Sequence, residues 1–540
     1  MDGDNIDIAN VTAMPYGFPP GPPGWPLVGN IFDLGQIPHQ TLYKLQAHYG
    51  PVIWLKLGSI NTMVVQSAKA ASELFKKCDL PFADRKVPDS LTALGYNRGS
   101  VAFGAYSGYW RKLRRICTTE FLVQKRVNDS IPLRQKCIDD MIDWIQKDVA
   151  KSKENGGSGE IQLDWFLFVT SFYTIGNFML SREVMESTLD KTSEFFEALL
   201  LFFGWIGKPN LSDLFPLLRW MDPQRIRRNT GAALERLLGF AAGIVKDRIE
   251  ENELGKEKKT KDFLDTLLEE GEVNETGHDK LSLKNITILL LRKLEFSLVD
   301  EVVGNMLGNN PMLGHKPKFS LKVENPGDFE IFEYLSILQE MFLGGIETTS
   351  TTIEWGMAEL LRHPNTMKKI QDEIDQVVGR TRKVEENDLN NMPYLQATVK
   401  EIMRLHPPVP MLIPRNARED TEFMGYFVPK NTQIFVNAWA IHRDPATWPD
   451  PLSFKPERFL DSDIDYKGQH FQMIPFGSGR RSCLGLTLGH KMLSSTIASL
   501  LQTFDWKLAG GAKPEAVDMR ETVGLLRKKV PLKAIPSLRE

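Results

Sequence analysis

The residues with the clearest chemical potential form one run near the C-terminus, Phe476-Gly477-Ser478-Gly479-Arg480-Arg481-Ser482-Cys483-Leu484-Gly485. It reads F-x-x-G-x-R-x-C-x-G. A single cysteine sits between glycines, with Arg481 two residues before it and a helix expected from Leu486. A neighbouring cation and a helix N-terminus both lower a thiol's pKa, so the pattern favours a thiolate at Cys483. Glycine lets the backbone turn sharply and approach a flat ligand. Backbone N–H groups in such a turn can hydrogen-bond the sulfur. A lone thiolate held this way suits the axial ligand of a haem iron. Most lone cysteines are small buried hydrophobes instead, and it is the length of the pattern that favours the ligand.

Three other constellations could do chemistry. In Trp110-Arg111-Lys112-Leu113-Arg114-Arg115, Trp110 and Arg114 stand four apart and share a helix face. Two donors on one face could hold a pair of carboxylates, although the spacing alone equally describes an exposed basic turn. In Gly344-Gly345-Ile346-Glu347-Thr348-Thr349, a glycine pair inside a helix costs stability and asks for a reason. Room for a small ligand is one. Glu347 and Thr348 would then offer an acid and a hydroxyl for relaying protons; a helix cap or a solvated face is the commoner use of such residues. Glu401 and Arg404 lie at i,i+3, a spacing found on any helix, and Pro456-Glu457-Arg458-Phe459 supplies a further cation.

The elements that must position these residues can be read in part. The chain has 540 residues, a net charge of −3 and a pI near 6.4, so nothing calls for nucleic acid as a partner. Its four cysteines, Cys78, Cys117, Cys137 and Cys483, show neither a C-x-x-C pair nor zinc spacing. A reducing compartment without a disulfide framework is expected. Residues 1–18 carry no basic stretch followed by an apolar run, so neither a signal peptide nor a membrane anchor is expected there. Residues 19–30 begin with a stiff proline-rich strap, a hinge or a ligand for an SH3-like partner. Pro51–Gln66 alternates apolar and polar residues and predicts a small sheet. Residues 85–108 read as a mobile loop, and residues 130–250 mainly as helices. Ala198–Trp220 is apolar and aromatic but is broken by Gly207, Pro209 and Pro216, so it is not one spanning helix. Glu250–Lys280 is dense in charge and reads as a solvated connection. Met367, Ile370, Ile374, Val377 and Val378 form a helical core stripe. Ser282–Leu291 starts a helix that Glu340–Leu361 would continue, yet residues 292–339 intervene without a clear period.

Together the four constellations resemble the motifs of cytochrome P450 enzymes, in the family's order. The proline-rich strap and Ile441-His442-Arg443-Asp444-Pro445 are similar to plant microsomal members of the A-type clan, in the group of geraniol hydroxylases and iridoid oxidases. The resemblance implies a mainly α fold with a small β-rich lobe. Residues 31–540 would form the catalytic domain, interrupted by a non-family insertion at 292–339. That insertion is either a retained intron or gene-model error, or a genuine surface loop. Haem b would be held by Cys483, with Trp110, Arg114, Arg415, Phe476, Gly477, Arg481 and Gly485 around it. Thr348 would stabilise activated oxygen and Glu347 would help deliver protons. Glu401, Arg404 and Arg458 would form a buried charge cluster behind the haem loop. Val409, Met411, Leu412, Leu525 and Leu526 would touch an apolar substrate.

The reaction implied is monooxygenation of an apolar small molecule, such as a terpenoid of secondary metabolism, by O2. Electrons would come from NADPH through NADPH-cytochrome P450 reductase, docked on Arg111, Lys112 and Arg115. The chain itself has no dinucleotide fingerprint, since Gly477-Ser478-Gly479 lacks a third glycine. The family's place is the cytosolic face of the endoplasmic reticulum membrane, which the 198–220 region could touch. Two rivals stay open. One is reductase-independent rearrangement of a hydroperoxide, against which Thr348 argues. The other is haem binding without turnover, because the insertion enters the helix of Glu347 and Thr348.

Overall fold

One helix, Pro326–Arg362, runs through the middle of the molecule and carries the Gly344–Thr349 motif. The computed structural model describes residues 17–180, 189–254, 262–265, 326–522 and 526–539. Residues 326–339, within the stretch expected to interrupt this helix, are its first turns; residues 292–325 and the Ser282–Leu291 start lie outside the described residues. The helix is apolar on most faces because it is packed on most faces, as a central helix must be. Leu163–Leu180, Ile226–Glu253 and Leu486–Thr503 all pack against it. On one side Phe172, Phe195, Phe240 and Phe342 meet ring to ring in edge and offset contacts. On the other, Ile353 and Met357 join Met403, Ile497 and Leu501 in a second core. The 367–378 stripe falls there too, with Met367, Ile370, Ile374 and Val378 buried.

The β-rich lobe sits beside this helical mass. Val52–Leu57 and Ile60–Val65 pair antiparallel, with Val52 opposite Val65 and Leu57 opposite Ile60. Ile60–Val65 then runs parallel to Gln433–Val436, placing Thr62 opposite Gln433. The sheet closes through Arg415–Asn416 and Asp84–Arg85, where Arg85 faces Arg415. Two arginines on neighbouring short strands are thereby brought to one edge. A three-stranded sheet of Ile161–Gln162, Lys533–Leu538 and Phe504–Lys507 and a hairpin at 421–428 complete the strands among the described residues.

Residues 85–108 are not the loose loop their Gly and Ser content predicts. Asp89–Gly95 and Tyr96–Gly99 are short helical turns, and Leu91, Tyr96 and Val101 are buried. The helix Gly108–Ile116 follows, capped where Ser107 Oγ accepts the Trp110 N–H at 3.0 Å. The 198–220 region breaks as expected, into Leu189–Ile206, Leu211–Leu214 and a turn at Pro216–Leu218.

Candidate active site

The Cys483 loop is fixed from both ends. The Cys483 N–H donates to the Phe476 carbonyl at 2.9 Å, and the helix Leu486–Thr503 begins as expected. Within the loop Gly479 has φ +71°, and a Cβ there would stand 2.6 Å from Asp79 Oδ1. Only glycine meets both demands. Asp79 takes that space to accept from the Arg480 N–H at 3.0 Å, Arg480 Nη1 at 2.9 Å and Arg415 Nη1 at 2.7 Å.

The Cys483 side chain opens onto an internal cavity of ≈ 320 Å³, so it is deep in the protein and still reachable. Burial pushes its thiol up, while the Gly485 backbone and Arg114 pull it the other way without overcoming burial. Within the chain alone, burial outweighs the neighbouring cation at this sulfur. Arg481 turns away to donate to Ala83, at 2.8 Å, and Gly104, at 2.6 Å. A bound metal cation would supply the missing positive charge and deprotonate the sulfur.

Four arginines converge on the cavity rim: Arg85, Arg114, Arg415 and Arg481. Arg114 donates to the Ser482 carbonyl at 2.8 Å, Arg415 to Ser478 at 3.1 Å and Arg85 to Ile413 at 2.7 Å. Burial first, then the charges of Arg415, Arg481 and Arg114, hold Arg85 well below the usual arginine range. Burial and Arg415 likewise lower Arg481, to about 9. Such crowding is costly unless an anion meets it.

Opposite Cys483 runs the long helix. Gly344 borders the cavity, and a Cβ there would meet nothing within 4 Å. Gly345 also borders the cavity but is tightly packed, since its Cβ would come 2.6 Å from Ile175 Cδ1. Thr348 lines the cavity with its hydroxyl donating to the Gly344 carbonyl at 2.6 Å. Glu347 is buried outside the lining, 2.8 Å from Arg527 Nε, and accepts from Thr351 Oγ1 at 3.4 Å. Burial raises its carboxyl and Arg527 opposes that. Val409 and Leu412 form part of the apolar wall, with Phe121, Ile175 and Leu488.

Behind the loop lies a closed ion cluster. Arg404 meets Glu401 with two parallel bonds, Nε to Oε2 at 2.6 Å and Nη2 to Oε1 at 2.8 Å. Arg458 Nε adds a third at 3.1 Å and the Lys455 N–H a fourth at 2.8 Å. His442 joins this cluster to the Cys483 loop. The Ile474 N–H donates to its Nε2 at 2.9 Å, and Nδ1 lies 3.2 Å from the Arg404 carbonyl. Burial and the neighbouring Arg443 and Arg404 hold His442 near 3, so it is neutral and bridges as acceptor and donor.

Comparison with known proteins decides the family. The cytochrome P450 family model matches residues 19–294 and 317–535. An iridoid oxidase from Catharanthus roseus is 48% identical, over 96% of this chain and 92% of that protein. A geraniol 8-hydroxylase from the same plant is 36% identical, over 96% of this chain and 94% of its own. A solved zebra fish cytochrome P450 structure with abiraterone shares the fold, with a TM-score of 0.69 and 23% identity over 94% of this chain and 100% of its own. The chain belongs to the cytochrome P450 family. It is a monooxygenase of that family, and its cofactor is haem b.

The P450 cavity fits that cofactor. One soft sulfur, Cys483, lines it, a donor that would suit a haem iron. The crowded rim arginines suit the two propionate carboxylates. Among the described residues no cluster of three or more His, Cys, Asp and Glu could hold a bare metal ion.

Several expected residues fall elsewhere in this P450. Trp110 is buried with its Nε1 donating to the Val101 carbonyl at 2.9 Å, so that donor is already used. Its ring lies 3.9 Å beneath the Arg481 guanidinium, a platform for an arginine of the rim. Met411 does not line the cavity. Leu412 takes φ +49°, and the chain turns so that Leu412 faces inward while Met411 packs on Leu42, Ile53 and Leu55. Leu526 is also corrected: it is buried between Trp355 and Trp439, and its carbonyl accepts from Trp355 Nε1. Leu525 lies outside the described residues. Sequence reading missed Asp79, Arg85, Glu340 and His442. Only His442, inside the Ile441–Pro445 stretch, had a local signal.

Proposed function

We propose that this P450 oxygenates an apolar terpenoid, with Cys483 as the residue whose sulfur would hold its haem iron. The carrying observation is the Cys483 side chain opening into an apolar cavity between the rim arginines and the Gly344–Thr348 turn. Haem, when bound, supplies activation of O2: two electrons from NADPH through the reductase, one oxygen atom into the substrate and one into water. The residues of the chain do the rest. Val101, Val409, Leu412 and Leu488 offer an apolar substrate a surface free of water. Arg114, Arg415 and Arg481 hold the propionates, Phe476 and Gly477 line the cavity beside the sulfur, and Gly485 leaves room next to it. The Thr348 hydroxyl carries a proton beside the cavity, and Glu347, tied to half-exposed Arg527, replaces it from the outer side. Glu401, Arg404 and Arg458 keep the Cys483 loop in place.

The terpenoid class rests on the iridoid and geraniol activities in the names of the two plant relatives. A membrane position at the cytosolic face of the endoplasmic reticulum rests on exposed apolar residues. Trp25, Leu27 and Phe32 are 63%, 90% and 73% exposed, and Leu217 and Trp220 are 88% and 83% exposed. The two groups flank one hairpin turn, since Gly58 N–H donates to Val28 and Ser59 N–H to Leu214. A patch of this kind suits a lipid surface. No helix among the described residues is long and apolar enough to cross a membrane. Arg111 and Arg115 are exposed beside the site and offer cations to an acidic reductase.

A second reading, haem binding without turnover, rests on the gap in the family match at 295–316, just before the long helix. One experiment separates the two. Purified protein with reductase, NADPH and 18O2 is offered geraniol and iridoid alcohols, and products are read by mass. One 18O per product supports oxygenation. A full haem-thiolate spectrum with no product from any of them supports the inert binder.

A further inference from the structure

We infer that Glu340 is a positioning residue that latches residues 96–102 onto the long helix, so that one short stretch both walls the cavity and aims the rim arginines. Glu340 stands one turn before Gly344 and is 7% exposed. Its carboxylate collects donors from a single stretch of chain. The Val101 N–H reaches Oε2 at 2.7 Å and the Ala102 N–H reaches it at 3.2 Å. The Tyr96 hydroxyl reaches Oε1 at 3.2 Å, and the Ser100 hydroxyl donates to the same oxygen.

The carbonyls of that stretch point the other way, to the rim. Val101 accepts from Trp110 Nε1 at 2.9 Å and from Arg481 Nη1 at 3.3 Å. Ala102 accepts from Arg85 Nε at 2.9 Å. Val101 and Ala102 are thus each held by a carboxylate at the N–H and by a guanidinium group at the C=O. Val101, Ala102, Glu340, Arg85 and Arg481 all line the cavity. A buried carboxylate is expensive to maintain unless donors surround it, and here every donor named belongs to the latched stretch. If core filling were the only need, an apolar side chain would fill this place at less cost. The acid is explained by what it holds.

The aim of the arginines rests on the haem reading above; the latch itself does not. The test therefore has two arms, both on the full chain. In the first, hydrogen exchange is followed by mass spectrometry on peptides covering 96–104, for wild type and Glu340→Gln. The amide keeps the size of the acid but turns an NH2 toward donors. Exchange at 100–102 is expected to rise about tenfold, the loss of charge-assisted hydrogen bonds, while peptides covering Glu401–Arg404 stay unchanged. Unchanged exchange at 100–102 overturns the latch.

In the second arm, haem-loaded protein is titrated with imidazole and with 4-phenylimidazole, followed by the absorption shift. Imidazole is too small to need the Val101 wall. Its affinity is expected to hold within about twofold, with that of 4-phenylimidazole falling about tenfold. Equal weakening of both means a general structural role and overturns the proposal. A wild type without a haem-thiolate band would instead sink the proposed function and leave the first arm standing. Should Glu340→Gln fail to fold, the Tyr96→Phe/Ser100→Ala double variant removes two donors from the other side, and the same readouts decide.

Discussion

Behind the Cys483 loop, one carboxylate, Glu401, is met by Arg404, Arg458 and a backbone N–H, with Glu401 and Arg404 fully buried. Along the cavity rim, four arginines crowd one another, and burial plus their mutual repulsion lowers Arg85 well below its ordinary range. The first group is closed: every charge has its partner within the chain. The second is only partly closed: Arg415 pairs with Asp79, while Arg85, Arg114 and Arg481 donate to backbone carbonyls. The contrast separates charges neutralised by a carboxylate of the chain from charges met mainly by carbonyls. Removing one group from each should therefore weigh differently on the empty and the loaded protein.

The largest effect is expected from Glu401→Ala. It strands Arg404 and Arg458 in the interior at a cost of about 3–5 kcal/mol. Thermal unfolding should move down sharply, and haem absorbance per chain should fall to background. A full haem complement in this variant would contradict the closed-cluster account.

Next comes pH, read on the long helix. Burial raises the Glu354 carboxyl to about 7, and its partner is the Leu532 N–H at 2.7 Å. The native protein keeps a proton there that the unfolded chain gives up near its ordinary 4.5. Stability from the neutral acid is therefore full below that pH and is lost as pH rises to about 7, some ~3 kcal/mol in all. Glu354→Gln should remove this part of the fall in Tm between about pH 5 and 7; an unchanged slope would count against it.

Arg114→Met probes the rim group. The empty protein should change by less than about 1 kcal/mol, while haem dissociates about tenfold faster for want of a charge-assisted hydrogen bond. Apo-protein destabilisation as large as that of Glu401→Ala would erase the distinction between the two regions.

Two neighbouring glycines, whose effects should differ in sign, come last. Gly344→Ala places a methyl in the cavity and should stabilise the helix by about 0.5–1 kcal/mol, while narrowing the range of ligands bound. Gly345→Ala meets Ile175 and should cost about 1–3 kcal/mol. Equal Tm shifts for the two would show that only helix propensity is at work.

The sequence carried the fold class and the elements that frame the candidate site, because each depends on local pattern. The turn before Leu486, the alternation over Pro51–Gln66 and the 367–378 stripe are short-range signals, and the structure follows them. The misreadings have a common physical origin in contacts distant along the chain. Residues 85–108 look like loop, but the ordering carboxylate, Glu340, lies 239 residues beyond Val101. Asp79 clamps a loop 401 residues away. Glu401 and Arg404 have an unremarkable spacing until Arg458 closes on them. Met411 and Leu412 differ only in which way a left-handed turn points them, which apolar character cannot tell. Burial, which raises the Cys483 thiol, is likewise invisible in sequence, where only its charge neighbours show.

The most direct test of the central claim is the reduced carbon monoxide difference spectrum of the purified protein, wild type beside Cys483→Ser. The account predicts a haem-thiolate band in wild type and its loss in the variant, where an oxygen replaces the sulfur. The same band at full strength in Cys483→Ser would contradict it.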